Sequence, residues 1–409
     1  MTTIEEQVLT VADRLLKPEA VLNAVGRADA ASLTRGLAGT ALLHARLAHI
    51  DPRFARAAQQ HWTAAAAHLK NHRHGFSGIA GGQGGLAASL IIGTGYLPEG
   101  NRHHAAAAGA SWLAVCARDA ADLYQRTDLL TWDVYDAITG LSGIGRVLLA
   151  AQSSGYDDVE SGLMAALTAL TAILEPRDTG RPGWWMPAEN HPNLARIHPS
   201  GAATTGLAHG VAGPLALLAT AHVAGWSVPG QAEGIDHAAD WLLDWRRDDG
   251  TWPPSVTGDE LDTAQPPSTP GRADAWCYGT PGISRSLHLA GLALDDPHLQ
   301  AAAISAVDTM GSRKPAEWDV EGPTLCHGYA GFLQSAPDNH PVAGAVVEAI
   351  SAYFDSSHRF GFQHRDQGQT HVEPGLLTGA AGVALALAEH QDLPTPGTPA
   401  SWECLLNLS

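Results

Sequence analysis

Cysteine is scarce in this chain: Cys116, Cys277, Cys326 and Cys404 are the only four in 409 residues. Thiols so few and so widely spaced cannot form the disulfide framework of a small secreted domain, which points to a reducing compartment, the cytoplasm. Basic residues are also few, 24 Lys and Arg against 42 Asp and Glu, for a formal charge of −18. A surface of that sign opposes a phosphate backbone and excludes nucleic acid as the expected partner. No apolar run approaches the roughly 18–20 residues that a membrane span needs. The most apolar stretches, 213–221 and 380–388, are far shorter. Residues 1–16 are amphipathic and carry Glu5, Glu6, Asp13 and Arg14, without the basic start and apolar centre of an export signal. Cys404 stands sixth from the end rather than fourth, so it is no prenylation site. Charged residues are only 16% of the chain, whereas 44 glycines, 25 prolines and 45% hydrophobic residues suit tightly packed elements joined by rigid turns.

What is abundant is a repeat. A G-x-x-G tetrad followed by an alanine- and leucine-rich stretch at helical spacing returns seven times. The tetrads begin at Gly36, Gly82, Gly140, Gly210, Gly279, Gly328 and Gly379, and the second reads equally well from Gly78. Each step accommodates two ordinary helices with their loops, so the unit is a helix pair. Stretches after the tetrads, such as Val383-Ala384-Leu385-Ala386-Leu387, are apolar on nearly every face and mark helices buried all round. The intervening stretches, such as 236–245, keep a charged face. Seven inner and seven outer helices alternating about one axis make an all-α fold, an α/α toroid, as a single domain over residues 1–409. Strand signals are weak. Two long loops rich in Pro and Trp, 175–201 and 250–271, are candidates for the rim of a cavity, although Trp-Pro turns also seal helix ends.

Equivalent positions of a closed ring converge on its axis. Immediately before the tetrads stand His209, Tyr278 and His327, and one residue further back stand Cys277 and Cys326. Two thiolates and an imidazole from adjacent repeats, Cys277, Cys326 and His327, are a donor set that favours one Zn²⁺ ion. Three protein ligands leave a coordination position open for chemistry. His209 aligns with His327 and is a candidate for a functional role. Asp136, four residues before Gly140, is a candidate site residue or a simple helix cap; Tyr278 is a candidate site residue or ordinary packing. Cys116 and Cys404 lie off this register and read as small core residues. His103, His104, His364 and His371 read as loop or solvated histidines.

The segments Tyr135-Asp136-Ala137-Ile138-Thr139-Gly140-Leu141-Ser142-Gly143, Leu207-Ala208-His209-Gly210-Val211-Ala212-Gly213-Pro214, Trp276-Cys277-Tyr278-Gly279 and Leu325-Cys326-His327-Gly328 resemble, in that order, motifs of the lanthionine synthetase C-like family of lanthipeptide cyclases. The resemblance runs over residues 36–387. It implies an α/α toroid with zinc on Cys277, Cys326 and His327. It also implies a cyclase that closes thioether rings by adding cysteine thiolates to dehydroalanine or dehydrobutyrine within a dehydrated precursor peptide. By the same resemblance His209 and Asp136 handle protons, and Tyr278 matches the tyrosine of the motif. The arginine found in the family four residues before the first zinc cysteine is Ala273 here, and Arg272, one residue earlier, is the candidate for its role. No dehydratase segment precedes the repeats, so the likeness is to stand-alone cyclases served by a separate dehydratase.

Three other readings compete. Protein prenyltransferase β-subunits also activate a peptide thiol on zinc in an α/α barrel, but with Asp, Cys and His ligands and an aromatic isoprenoid tunnel. A non-catalytic cyclase-like scaffold that binds glutathione or a peptide would keep the toroid and the zinc without turnover. A glycosidase needs two facing carboxylates, and Asp136 has no aligned partner.

Overall fold

Side-chain caps set several helix starts. Thr3 and Glu6 form a reciprocal capping box, Asp51 accepts the Arg53 N–H ahead of Pro52, and Asp296 accepts from His298 and Leu299 behind Pro297. The computed structural model describes residues 2–72, 78–98, 104–127, 130–177, 180–191, 197–264, 271–366 and 369–409. In chain order the helices are α1 (Ile4–Arg14), α2 (Pro18–Leu22), α3 (Leu37–Arg46), α4 (Pro52–Asn71), α5 (Gly82–Gly93) and α6 (His104–Thr127). There follow α7 (Trp132–Tyr135), α8 (Leu141–Ser153), α9 (Glu160–Leu174), α10 (Ala212–Val223), α11 (Gln231–Asp244) and α12 (Gly258–Thr263). The last are α13 (Thr280–Ala293), α14 (Pro297–Gly311), α15 (Tyr329–Ser335), α16 (Ala343–Ser351) and α17 (Ala380–His390).

Helices α3, α5, α8, α10, α13, α15 and α17 form the inner ring; each packs on the next, and α17 packs back on α3. Every residue of α3 is buried, including Thr40, His44 and Arg46, whose polar groups find partners in Leu37 O, Leu15 O and Leu393 O. Helices α4, α6, α9, α11, α14 and α16 each back the inner helix before them, and α1 backs α17. The seventh outer helix therefore comes from the amphipathic start of the chain, which closes the α/α toroid.

The loops that precede the inner helices are laced into a circle of backbone hydrogen bonds by residues one to three places before each tetrad. Ala208 N–H donates to the Cys277 carbonyl (3.2 Å), Cys277 to Cys326 (3.2 Å), Cys326 to Leu377 (2.9 Å) and Leu377 to Thr34 (2.8 Å). Leu33 donates to Ala80 (3.0 Å), Ile79 to Ile138 (3.2 Å), and Ala137 back to Ala208 (3.1 Å). The tetrads permit this crowding: a Cβ on Gly143 would stand 2.2 Å from the Ala137 carbonyl, six residues back. The same contact in the second repeat is Gly84 against the Gly78 carbonyl at 1.8 Å, and Gly81 caps α5. That tetrad is therefore 81–84, a correction of one residue to the register at Gly82.

Residues 402–409 occupy the middle of the ring. Leu406 O accepts from the Trp276 indole (3.1 Å), Leu408 O from Arg285 (2.6 Å) and Ser409 O from Arg146 (2.6 Å), while Asn407 donates to Gly213 O (3.3 Å).

Two small sheets interrupt the helices where the sequence carries little strand signal. Strands β1 (Trp185–Met186), β2 (Ala202–Thr204) and β3 (Ser255–Thr257) pair antiparallel in that order, with Trp185 opposite Ala203 and Ala203 opposite Val256. They tie the two long loops together just before His209. Trp184 and Trp252 of these loops are fully buried: Trp184 packs edge-on against Trp241, and the Trp252 indole donates to Leu242 O (2.7 Å). These tryptophans seal α11 rather than line a cavity. Strands β4 (His364–Asp366) and β5 (Gln369–His371) form a hairpin with His364 opposite His371. Among the described residues no helix is long and apolar enough to cross a membrane.

Candidate metal and proton-transfer site

Cys277 and Cys326 occupy the same link in consecutive loops of the backbone circle, and the Cys277 N–H is bonded to the Cys326 carbonyl. Among the described residues they form, with His327, the one group of three metal-ligating side chains whose donor atoms all lie within 4.8 Å of one another. Tetrahedral zinc with these ligands needs donors about 3.5–3.8 Å apart, so the three fit a single ion. Charge supports the fit. The hydrogen bond from Cys326 holds the Cys277 thiol well below its ordinary range, against burial and with help from His327. The same bond, with burial, pushes Cys326 well above that range. A bound Zn²⁺ would take both sulfurs as thiolates.

The loop's turn needs Gly279. Its φ is +128°, and a Cβ there would stand 2.1 Å from the Ala273 carbonyl. Asp274, buried, grips Arg313 through both oxygens (2.6 and 2.9 Å) and accepts the Asp319 N–H (2.9 Å), clamping this loop to the one that leads to Cys326.

A second cluster faces the first. Asp136 is fully buried and its Oδ1 accepts the N–H groups of Ile138, Thr139 and Gly140 (2.9, 2.6 and 2.8 Å). Its other oxygen stands 2.5 Å from Nδ1 of His209, whose side chain is 27% exposed. Asp136 thus both caps the approach to α8 and holds the imidazole. Trp132 of α7 stacks on the His209 ring at 4.5 Å and 19°, and the half-buried Tyr278 ring lies 6.3 Å away. Burial, then the neighbouring Cys277, pushes the Tyr278 hydroxyl far above its usual range, so it remains a neutral donor. Ala208, next to His209, is bonded to Cys277 and so joins the two clusters.

Arg272 faces Glu321, with Nη2 2.6 Å from Oε1, and donates to the Asp319 carbonyl (3.2 Å). Glu321 Oε2 in turn lies 3.2 Å from Nε2 of His327. The structure therefore brings Cys277, Cys326 and His327 together, pairs Asp136 with His209 beside Tyr278, and places Arg272 one residue away from that first group through Glu321.

Glu321 and Trp132 belong to no repeat position and were not legible as site residues. His364 differs from its sequence reading: it is 4% exposed on β4, its ring 6.5 Å from that of His327 and stacked on His371 at 5.4 Å. An alternation too short to have a period hid it. His103 lies outside the described residues. Cys404 is a buried core thiol, pushed up to about 11 by burial, and Cys116 is half-buried and raised in the same way.

An α/α toroid with two cysteines and a histidine gathered at the mouth from adjoining repeats defines the class. The family model described as lanthionine synthetase C-like protein matches residues 28–399, and the chain belongs to that family. Nisin biosynthesis protein NisC of Lactococcus lactis subsp. lactis is 27% identical over 264 residues, a match that spans 63% of this chain and 61% of that protein. The solved structure of nisin cyclase superposes with a TM-score of 0.77 at 21% identity, covering 99% of this chain and 96% of that one, and shares the toroid.

Proposed function

We infer that this protein is a zinc-dependent lanthipeptide cyclase, working as a single domain over residues 1–409 on a dehydrated precursor peptide that a separate dehydratase supplies. A reducing cytoplasm suits its four free thiols. The observation that carries the reading is the meeting of a Cys277–Cys326–His327 donor set with an Asp136–His209 pair across Tyr278. Bound zinc, held by those three ligands, would keep the substrate cysteine ionised, where at about pH 7 a free thiol is only a few per cent thiolate.

The residues of the chain do the rest. The substrate sulfur bonds to the β-carbon of dehydroalanine or dehydrobutyrine, the π pair moves onto the α-carbon and its carbonyl as an enolate, and a proton must then reach the α-carbon. Asp136 holds Nδ1 of His209, which leaves Nε2 to deliver that proton. The Tyr278 hydroxyl, kept neutral, serves as donor to the developing enolate oxygen. Arg272 holds the Glu321 carboxylate beside His327. Ring closure consumes a thiol and changes no mass.

The test is metal analysis of wild type, Cys277→Ala and Cys326→Ala beside cyclisation of a dehydrated precursor, followed as loss of free thiol at constant mass. One zinc per chain, lost with activity in both variants, is expected. Full activity in metal-free protein would end the zinc reading, and zinc binding without turnover would favour a scaffold.

A further inference from the structure

Glu321 stands five residues before Cys326 in no motif, yet its backbone is pinned at both ends. Its N–H donates to the His327 carbonyl (2.9 Å), and its carbonyl accepts from Arg365 (2.9 Å). Its Oε2 and Nε2 of His327 are buried, have no hydrogen-bond partner, and lie 3.2 Å apart without alignment. The carboxylate falls outside the set of donors within 4.8 Å of one another, so it is not one of the ligands. Its other oxygen is engaged by Arg272 at 2.6 Å.

We propose that Glu321 is the positioning carboxylate of the metal centre, fixing the tautomer and plane of His327, and that Arg272 acts on the centre only by holding Glu321. This rests on the zinc reading given above. An imidazole binds a metal through one nitrogen, and a carboxylate on the other N–H sets its orientation and raises its basicity. A carboxylate beside two thiolates is repelled unless a cation balances it, and the Arg272 guanidinium is that cation. The placement of the arginine one residue early is thereby accounted for: from position 272 it reaches Glu321 and the Asp319 carbonyl together.

The experiment is zinc affinity of the purified full chain by competition with a chromophoric chelator, for wild type, Glu321→Gln, Glu321→Ala, Arg272→Met and the double variant Glu321→Ala/Arg272→Met. Removing such an outer carboxylate weakens metal affinity by roughly 10–100-fold. That loss is expected for Glu321→Ala, with a smaller one for Glu321→Gln and Arg272→Met. In the double variant, Arg272→Met adds nothing further, and the metal-free melting temperature stays within about a degree of wild type throughout. Zinc affinity unchanged in Glu321→Ala overturns the proposal, as do additive losses in the double variant or a metal-free melting temperature that falls in step with affinity. A Co²⁺-substituted wild type whose visible spectrum loses tetrahedral intensity in Glu321→Gln would make Glu321 a ligand and would also overturn it. If wild type itself binds no zinc, the zinc reading fails; if only the Glu321 variants bind as wild type does, this inference alone fails.

Discussion

Replacing Asp136 with asparagine separates its two duties. The amide oxygen can keep the N–H groups of Ile138, Thr139 and Gly140, now bonded to an uncharged acceptor. Charge-assisted bonds contribute about 1 kcal/mol more than neutral ones, so three such bonds cost about 3 kcal/mol. Unfolding entropy is about 2.1 cal/mol/K per residue, or roughly 0.9 kcal/mol/K for 409 residues, and the melting temperature should fall by only about 3–4 °C. Catalysis should fall far more. The new NH₂ faces Nδ1 of His209 where a carboxylate stood at 2.5 Å, so the ring must accept there and its protonated form loses its counter-charge. A carboxylate-to-amide change behind a catalytic histidine costs about 10⁴ in a serine-protease triad, and about 10²–10⁴ is expected here. Asp136→Ala, which strands three N–H groups, that of Gly140 buried at a cost of about 1–3 kcal/mol and those of Ile138 and Thr139 part-buried, should melt lower still. Circular dichroism melts and thiol-loss kinetics read the two effects. An Asp136→Asn variant that cyclises at the wild-type rate would remove the pair from the chemistry, and an Asp136→Ala variant with an unchanged melting temperature would refute the cap.

Gly279→Ala places a Cβ 2.1 Å from a backbone oxygen at φ +128°, so the Trp276–Gly279 turn must shift; zinc affinity should drop with stability by a few kcal/mol, and a variant with wild-type melting and metal binding would contradict the turn argument. His44 and His61 are buried and held neutral, their pKa values lowered to about 4 and about 3, mainly by burial. Below about pH 6.5 the unfolded chain binds protons that the folded chain refuses, so their contribution is complete above pH 6.5 and is lost as pH falls toward 4 and then 3. By pH 5 the two together cost about 4 kcal/mol; urea midpoints should fall from pH 7 to 5 and fall about half as far in His61→Gln, whereas a flat wild-type profile would refute the assignment.

The toroid was legible because its repeat is written in glycine and alanine: seven inner helices buried on all faces need small residues at each crossing, and that need recurs at a readable interval. The meeting of Cys277, Cys326 and His327 was legible because Cys277 and Cys326 hold one repeat position, which the backbone circle turns into proximity. Glu321 was hidden because its place depends on backbone bonds to His327 and to Arg365 of a distant hairpin, which no local pattern announces. Trp132 lies in a four-residue helix and His364 in a three-residue strand, both too short for periodicity to reveal which way a side chain turns. The tetrad 81–84 sits among five glycines spread over 78–85 with competing frames, and only the cap at Gly81 and the approach of Gly84 to the Gly78 carbonyl select among them.

Trp276, Arg285 and Arg146 hold residues 406–409 on the axis, so the annulus is filled from within by the chain itself. On the function proposed above, a peptide would arrive and depart by the one face that carries Cys277, Cys326 and His327, and successive ring closures would be repeated visits to that open basin.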